Sequence, residues 1–305
     1  MLIVVGPTAS GKSALAMDLA EILQGEIISC DSVQVYRGFD IGSAKTPLSE
    51  RRGIIHHLLD IIDPTDAFDA SEYRQQALEA AKNIRAKGRL PIVVGGTGLY
   101  LRALLGQGWD DLPCDPILRK ELDDLPLDEL GKILMRLAPH RLSQIHPNDR
   151  LRLVRAAEVA ILCHQQGISA KPFHRPQDMP KDVIAVVLDP PRHVLHQRIE
   201  LRVGAMLQQN FVQEVRDLLH QGLSSASKPM QSIGYRQVAE FIDGFITESE
   251  LPAKIAAATR QYAKRQCTWF RTMPATVRYR GGTSSDQYRS LVKLISSYCQ
   301  NWQNI

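Results

Sequence analysis

The chain has 305 residues, 44% hydrophobic and 23% charged, enough apolar content to bury a full core and too much for a disordered chain. Its longest apolar runs, such as Ile92 to Val94 and Val183 to Leu188, fall far short of the roughly 20 residues a membrane helix needs, so a soluble protein with no membrane partner is expected. Net charge is a mild +4, and the five cysteines (Cys30, Cys114, Cys163, Cys267, Cys299) are odd in number, scattered and without C-x-x-C, which argues against a disulfide framework and a zinc site.

Met1 to Val5 is apolar with no basic leader or cleavage site and reads as a first strand, which points to a cytoplasmic protein. It runs into GPTASGKS, the residues Gly6, Pro7, Thr8, Ala9, Ser10, Gly11, Lys12 and Ser13, which match G-x-x-x-x-G-K-[ST]. Gly6 and Gly11 let backbone N–H groups turn toward an anion, Lys12 supplies a point charge, and Ser13 can ligate Mg²⁺. A helix from about Lys12 to Leu23 follows, with Leu15, Ala16, Leu19, Ala20 and Leu23 at helical spacing. A strand before and a helix after are the context this loop requires, but the loop alone does not say which phosphates it holds.

Further strands are predicted at Glu26 to Ser29, His57 to Ile62, Pro91 to Val94 and Val183 to Leu188, with a helix from about Ser71 to Lys87 closed by Gly88. Asp31, in SCDSVQVYRGFDIGSAK, lies just beyond the second strand, where ligands of such folds collect. A carboxylate there can bind a metal, accept a proton or cap the following turn. In VVGGTGLYLRALL the chain again leaves a strand for a helix; the glycines permit close approach of a ligand, or serve a tight connection with Thr97 as N-cap. Strand and helix in alternation imply an α/β fold, a P-loop NTPase-like parallel sheet flanked by helices. After Gly108 the strand signal fades and prolines 113, 116, 126, 139 and 147 divide a Leu- and Arg-rich stretch into short helices. We therefore expect an inserted all-helical domain over 111–182 and a core domain formed by 1–110 and 183–305. Helices are predicted near 192–208, 211–221, 235–243, 248–270 and 288–298 in the second part of that core.

His56 and His57 are adjacent in a strand and point to opposite faces, and no carboxylate or thiol completes a metal set with them or with His193 and His196. From Leu251 to Ser285 there are seven basic residues and no Asp or Glu, which suits a polyanion partner or a solvated basic helix face. Within it, KRQCTWFR mixes cations with Trp269 and Phe270, a composition fit for looped RNA unless the aromatics are core. A second cluster, Arg150, Arg152 and Arg155, lies in the helical insertion, so two surfaces are available to one nucleic acid.

Taken together, GPTASGKS, DSVQVYRGFDIGSAK, HHLLDI, VGGTGLYLRALL, NDRLRLVRAAEV, SIGYRQ and KRQCTWFR resemble, in order and spacing from about Ile3 to Phe270, the bacterial tRNA dimethylallyltransferases. The resemblance implies that the loop holds the diphosphate of dimethylallyl diphosphate, and that the five-carbon group moves to the exocyclic amine of the adenosine 3′ of the anticodon. It implies Asp31 as general base, Thr97 as a hydroxyl near the reacting centre, and Gly6 to Ser13 with Arg202 as the diphosphate cradle, with Mg²⁺ on Ser13. By the same resemblance the anticodon stem-loop of tRNA meets Asp31, Ser32, Val33, Gln34, Thr97 and Arg119, then Leu151, Arg152, Leu153, Val154 and Arg155. It also meets Ser232, Ile233, Gly234, Tyr235, Arg236 and Gln237, then Lys264, Arg265, Gln266, Cys267, Thr268, Trp269, Phe270 and Arg271. A clasp of this kind works as a monomer. Asn210 and Gly98 depart from the family pattern; Asn accepts positive φ better than most residues. The alternatives are a P-loop nucleoside or metabolite kinase, which shares the loop and an Asp after the second strand, and a non-catalytic RNA-binding module.

Overall fold

The structure, a computed structural model, describes residues 1–106, 113–168, 179–281 and 285–303. It divides into two compact units, one made of Met1–Leu105 and Gln177–Ile305, the other of Gly106–Pro176.

The larger unit is built on a parallel sheet of six strands among the described residues: β1 (Leu2–Val5), β2 (Gly25–Cys30), β3 (His56–His57), β4 (Leu90–Gly95), β5 (Ile184–Leu188) and β6 (Val277–Tyr279). Their spatial order is β3-β2-β4-β1-β5-β6. β1, β2, β4 and β5 are buried along their whole length, as a parallel sheet covered on both faces requires, which is why β1, β4 and β5 read as near-continuous apolar runs, while β2 carries the buried Glu26 and Ser29. On one face lie α1 (Lys12–Ile22) and α12 (Ser285–Gln303), whose Leu15, Leu19, Leu291 and Ile295 pack with Leu2, Val4, Ile92 and Val186. α2 (Ala70–Ala86) starts on a capping box of Asp69 and Glu72 and buries Tyr73, Ala77, Ala80, Ala81 and Ile84 at helical spacing. α3 (Gly98–Leu104) follows β4; α8 (Arg192–Gln208), α9 (Phe211–His220), α10 (Tyr235–Ile242) and α11 (Leu251–Arg271) follow β5. Asn210, just before α9, has φ 67°, the left-handed conformation an Asn tolerates.

Two expectations need correction. The strand predicted over 57–62 is only His56–His57, because Leu58 and Asp60 take φ 62° and 56° and turn the chain out of the ladder; a single bridge from Tyr36 to Ile62 resumes it. The edge strand β6 was not predicted, since three residues with an arginine in the middle carry no alternation that sequence can resolve.

The smaller unit contains α4 (Pro116–Asp123), α5 (Leu127–Leu137), α6 (Pro139–Leu142) and α7 (Arg150–Gln165). Leu122, Leu130, Leu134, Leu153, Val154 and Ala157 form its core. Inside it Glu158 is fully buried and accepts from Arg119 Nε at 2.9 Å, Arg155 Nη1 at 2.7 Å and the Asp115 N–H at 2.8 Å. These bonds hold the carboxyl below its usual range despite burial, which acts the other way as the largest single influence. Glu158→Ala is expected to destabilise this unit by about 2 kcal/mol, the low end for a buried pair because both arginines are half-exposed and can resolvate. Urea titration of the variant checks it; an unchanged midpoint would mean the pair does not hold the helices.

Candidate active site

The register of the sheet assembles the site. Val5 and Cys30 both pair with Gly95, so β1, β2 and β4 end level and their next residues, Gly6, Asp31 and Gly96, emerge side by side at the carboxyl edge. Gly6 opens the phosphate loop, in which Ala9 (φ 62°) and Gly11 (φ 92°) take left-handed conformations that aim the chain into α1. Among the described residues, α1 has no side-chain cap, so its first N–H groups remain available to an anion.

Lys12 donates to the Pro7 carbonyl at 3.3 Å. Partly exposed as a whole residue, Lys12 has its ammonium end enclosed; desolvation first, then the nearby Arg202, push its pKa down to about 8. Arg202 reaches Thr8 Oγ1 and the Ser43 carbonyl, both at 3.4 Å, and one turn earlier Arg198 donates to the Ser10 carbonyl at 3.2 Å. Two cations and one carboxylate, Asp31, thus line a cavity of about 90 Å³ with Thr8, Ser13 and Gln266. A contiguous cavity of about 280 Å³ shares Thr8, Asp31, Ser43, Arg202 and Tyr262 with it and is walled by Ser32, Val33, residues 231–235 and Arg265.

Asp31 does cap the following turn: Oδ1 accepts from Val33 N at 2.9 Å and Gln34 N at 3.3 Å. Both bonds use the same oxygen, and among the described residues Oδ2 has no partner. Thr97 is the residue before α3, but its side chain makes no cap there; Oγ1 instead accepts from Ser32 N at 3.2 Å, which ties the turn after β4 to the one bearing Asp31. The glycines of VVGGTGLY make room for a helix, and Gly95 and Gly96 also line the smaller cavity. A Cβ on Gly96 would lie 2.4 Å from Gln266 Nε2, and one on Gly98 2.7 Å from the Trp269 ring, so their bareness admits α11.

The remaining predicted residues divide by environment. In α11, Lys264, Arg265, Thr268 and Arg271 are exposed, Cys267 and Trp269 half-buried, Phe270 buried. Buried Gln266 clamps the site, accepting from Thr8 N at 2.8 Å and donating to the Gly96 carbonyl at 2.9 Å. Ser232, Ile233, Gly234 and Tyr235 wall the larger cavity. Gln237 accepts from Gly234 N at 2.8 Å, Tyr235 donates to Glu214 at 2.6 Å, and exposed Arg236 faces Glu240. Gln34 is turned inward onto Ser29 and the carbonyls of Ser43 and Ala44. In the smaller unit Leu151 and Arg152 are exposed, Leu153 and Val154 are core, and Arg119 and Arg155 bind Glu158. His57 pairs with buried Glu26 at 2.7 Å while His56 accompanies the Ile54 carbonyl at 3.0 Å.

Sequence reading missed Tyr262 as a wall of both cavities and the clamp made by Gln266. The signal was available: Tyr262, Gln266 and Trp269 recur at helical spacing on one face of α11, offset from Arg260, Lys264 and Arg271. The cationic residues drew the reading to the outer face.

A glycine-rich loop leading from β1 into a helix N-terminus, with a hydroxyl after the adjacent β4 and a carboxylate after β2 one strand further on, defines an α/β protein of the phosphate-loop class. A profile of the IPP transferase family matches residues 34–273. The chain is 46% identical to tRNA dimethylallyltransferase 1 of Trichlorobacter lovleyi, over 90% of this chain and 92% of that one. It is 42% identical to the tRNA dimethylallyltransferase of Syntrophobacter fumaroxidans, over 97% and 86%. The crystal structure of the tRNA isopentenylpyrophosphate transferase of Bacillus halodurans is similar with a TM-score of 0.72 at 32% identity, covering 99% of this chain and 97% of that one. A eukaryotic dimethylallyltransferase captured acting on tRNA is similar with a TM-score of 0.73 at 27% identity, over 88% and 69%. The chain belongs to the IPP transferase family, the tRNA dimethylallyltransferases. These likenesses favour a prenyl-transferring enzyme over the kinase alternative.

Proposed function

We propose that this chain transfers the dimethylallyl group of dimethylallyl diphosphate to the exocyclic N6 amine of the adenosine 3′ of the anticodon in tRNA, releasing diphosphate. The observation that carries the reading is the shared edge of Gly6, Asp31 and Gly96, which sets an anion cradle against a carboxylate within one cavity. Heterolysis of the allylic carbon–oxygen bond leaves negative charge on the departing diphosphate; Lys12, Arg202 and the first N–H groups of α1 are aimed where that charge grows. The amine gains acidity as its bond to carbon forms, and Oδ2 of Asp31 takes the proton. Reaching it requires the base to leave its stack at a few kcal/mol, offset by contacts in the larger cavity and along the exposed cations of α11. Such a cavity also limits water, which would capture an allylic cation.

Ser13 faces both the smaller cavity and the start of α1, and the described residues hold no group of three or more His, Cys, Asp or Glu, so a hard cation carried mainly by diphosphate oxygens and water suits the donor set better than a protein cage. Mg²⁺ held through Ser13 would supply further charge neutralisation to the leaving group. Among the described residues no helix is long and apolar enough to cross a membrane, and the chain is read as a cytoplasmic monomer acting on tRNA.

Purified protein given Mg²⁺, unmodified tRNA and dimethylallyl diphosphate should yield, by mass spectrometry, tRNA heavier by one five-carbon unit without ATP. Consumption of ATP with a phosphorylated product would overturn the proposal in favour of a kinase.

A further inference from the structure

Tyr262 belongs to none of the motifs that pointed to the site, yet it is the one aromatic ring that lines both of its cavities among the described residues. The residues it shares that boundary with are Thr8, Asp31, Ser43 and Arg202, so the ring stands between the end that would hold diphosphate and the end that would hold the acceptor. That boundary is where the five-carbon chain must pass from oxygen to nitrogen. The carbon–oxygen bond breaks with its electron pair leaving on diphosphate, the amine lone pair forms the carbon–nitrogen bond, and the amine proton goes to Asp31.

Between those events positive charge spreads over the allylic carbons, and the wall beside them faces two demands. It must stabilise a cation, and it must not be alkylated by it. A water molecule, thiolate or carboxylate meets the first and fails the second, whereas the face of a neutral aromatic ring meets both. Tyr262 is held as a neutral phenol: burial, reinforced by Asp31 and opposed by the Thr97 side chain, pushes its pKa up to about 12. The ring already attracts a cation, since the guanidinium of Arg265 lies 5.7 Å from its centroid. Arg265 lines the larger cavity and not the smaller, so the ring surface toward the diphosphate end is left to a second occupant.

We propose that the ring of Tyr262 is the surface against which the allylic charge develops, a catalytic aromatic residue that makes and breaks no bond. The inference rests on the prenyl-transfer reading above. Its test is a series in which Tyr262 is replaced by Phe, by Leu, and by phenylalanines carrying one, two and three ring fluorines. Single-turnover prenyl transfer is measured beside tRNA gel-shift affinity and melting temperature. Tyr262→Phe should keep the rate within about threefold, Tyr262→Leu should lower it by about 10- to 30-fold, and each fluorine should lower its logarithm by a similar step. Affinity and melting temperature should stay level through the nearly isosteric fluorinated set, which separates charge stabilisation from packing. A rate indifferent to fluorination would overturn the assignment. So would a Phe variant as slow as Leu, since the hydroxyl would then be the active part. A wild-type protein that moves no prenyl group would remove the function and this inference together, and is told apart by failing before any variant is made.

Discussion

Asp31→Asn should slow single-turnover prenyl transfer by about 10²- to 10⁴-fold, the range of general-base catalysis, while leaving fold and tRNA affinity near those of the parent protein. The two oxygens of this carboxylate have different duties. Oδ1 accepts from Val33 N and Gln34 N and fixes the turn; Oδ2 is the one left to take a proton. An asparagine carbonyl can keep accepting those two N–H bonds but cannot serve as a base, so the variant isolates the chemical duty from the structural one. Asp31→Ala loses both and should in addition lose about 1 kcal/mol of stability, the usual worth of such a cap. Comparing the pair by rapid-quench turnover and by urea titration gives the answer. An Asn variant with a near-normal rate would strip Asp31 of the role of base and leave it a capping residue only.

How far the sequence could be read depended on whether a feature is local or comes from residues far apart in the chain. The phosphate loop is local: its glycines, Lys12 and Ser13 are consecutive, and the strand before it and helix after it fall where their apolar patterns put them. The alignment of Gly6, Asp31 and Gly96 is not local, because it arises from the pairing of three strands, although buried apolar runs ending just before each residue hinted at it. Gln266 was assigned to the RNA face by its neighbours in KRQCTWFR, but helix phase turns it inward to join two loops, and the partners that make this favourable lie more than 150 residues away. The arginines of the smaller unit show the converse. Arg119 was placed at tRNA by the resemblance and Arg155 by its basic cluster, and neither reading took in Glu158, which binds both from 39 residues away in one case and a single turn in the other. The glycines near Thr97 stood open between approach of a ligand and a tight connection capped by Thr97 for a similar reason: the close approach of α11, which their bareness admits, comes from elsewhere in the sequence.

Diphosphate should bind more weakly as pH rises above about 8, by roughly tenfold per unit, and Lys12→Met should remove that dependence while costing about 10²- to 10³-fold in turnover. The sign follows from the ligand-free site. There Lys12 has a pKa lowered to about 8 by desolvation and by Arg202, opposed by Asp31, so it is charged at pH 7 and neutral at pH 9.5. A bound diphosphate favours the ammonium form and raises that pKa, so above pH 8 binding must take up a proton, and each further unit of pH makes that uptake tenfold less favourable. Below pH 8 the lysine is already protonated and the affinity should be level until the ligand's own last ionisation is reached near pH 6. Neighbouring groups do not share this window: burial pushes the Cys30 thiol and the Tyr262 phenol up to about 12, and Arg202, though its pKa is lowered by burial, stays charged as a guanidinium. Calorimetric titration with dimethylallyl diphosphate, an ester with no ionisation of its own between pH 7 and pH 10, without metal, measures the bend directly. A flat wild-type curve would mean that Lys12 does not touch the anion, and a bend that persists in Lys12→Met would assign the titration to another group.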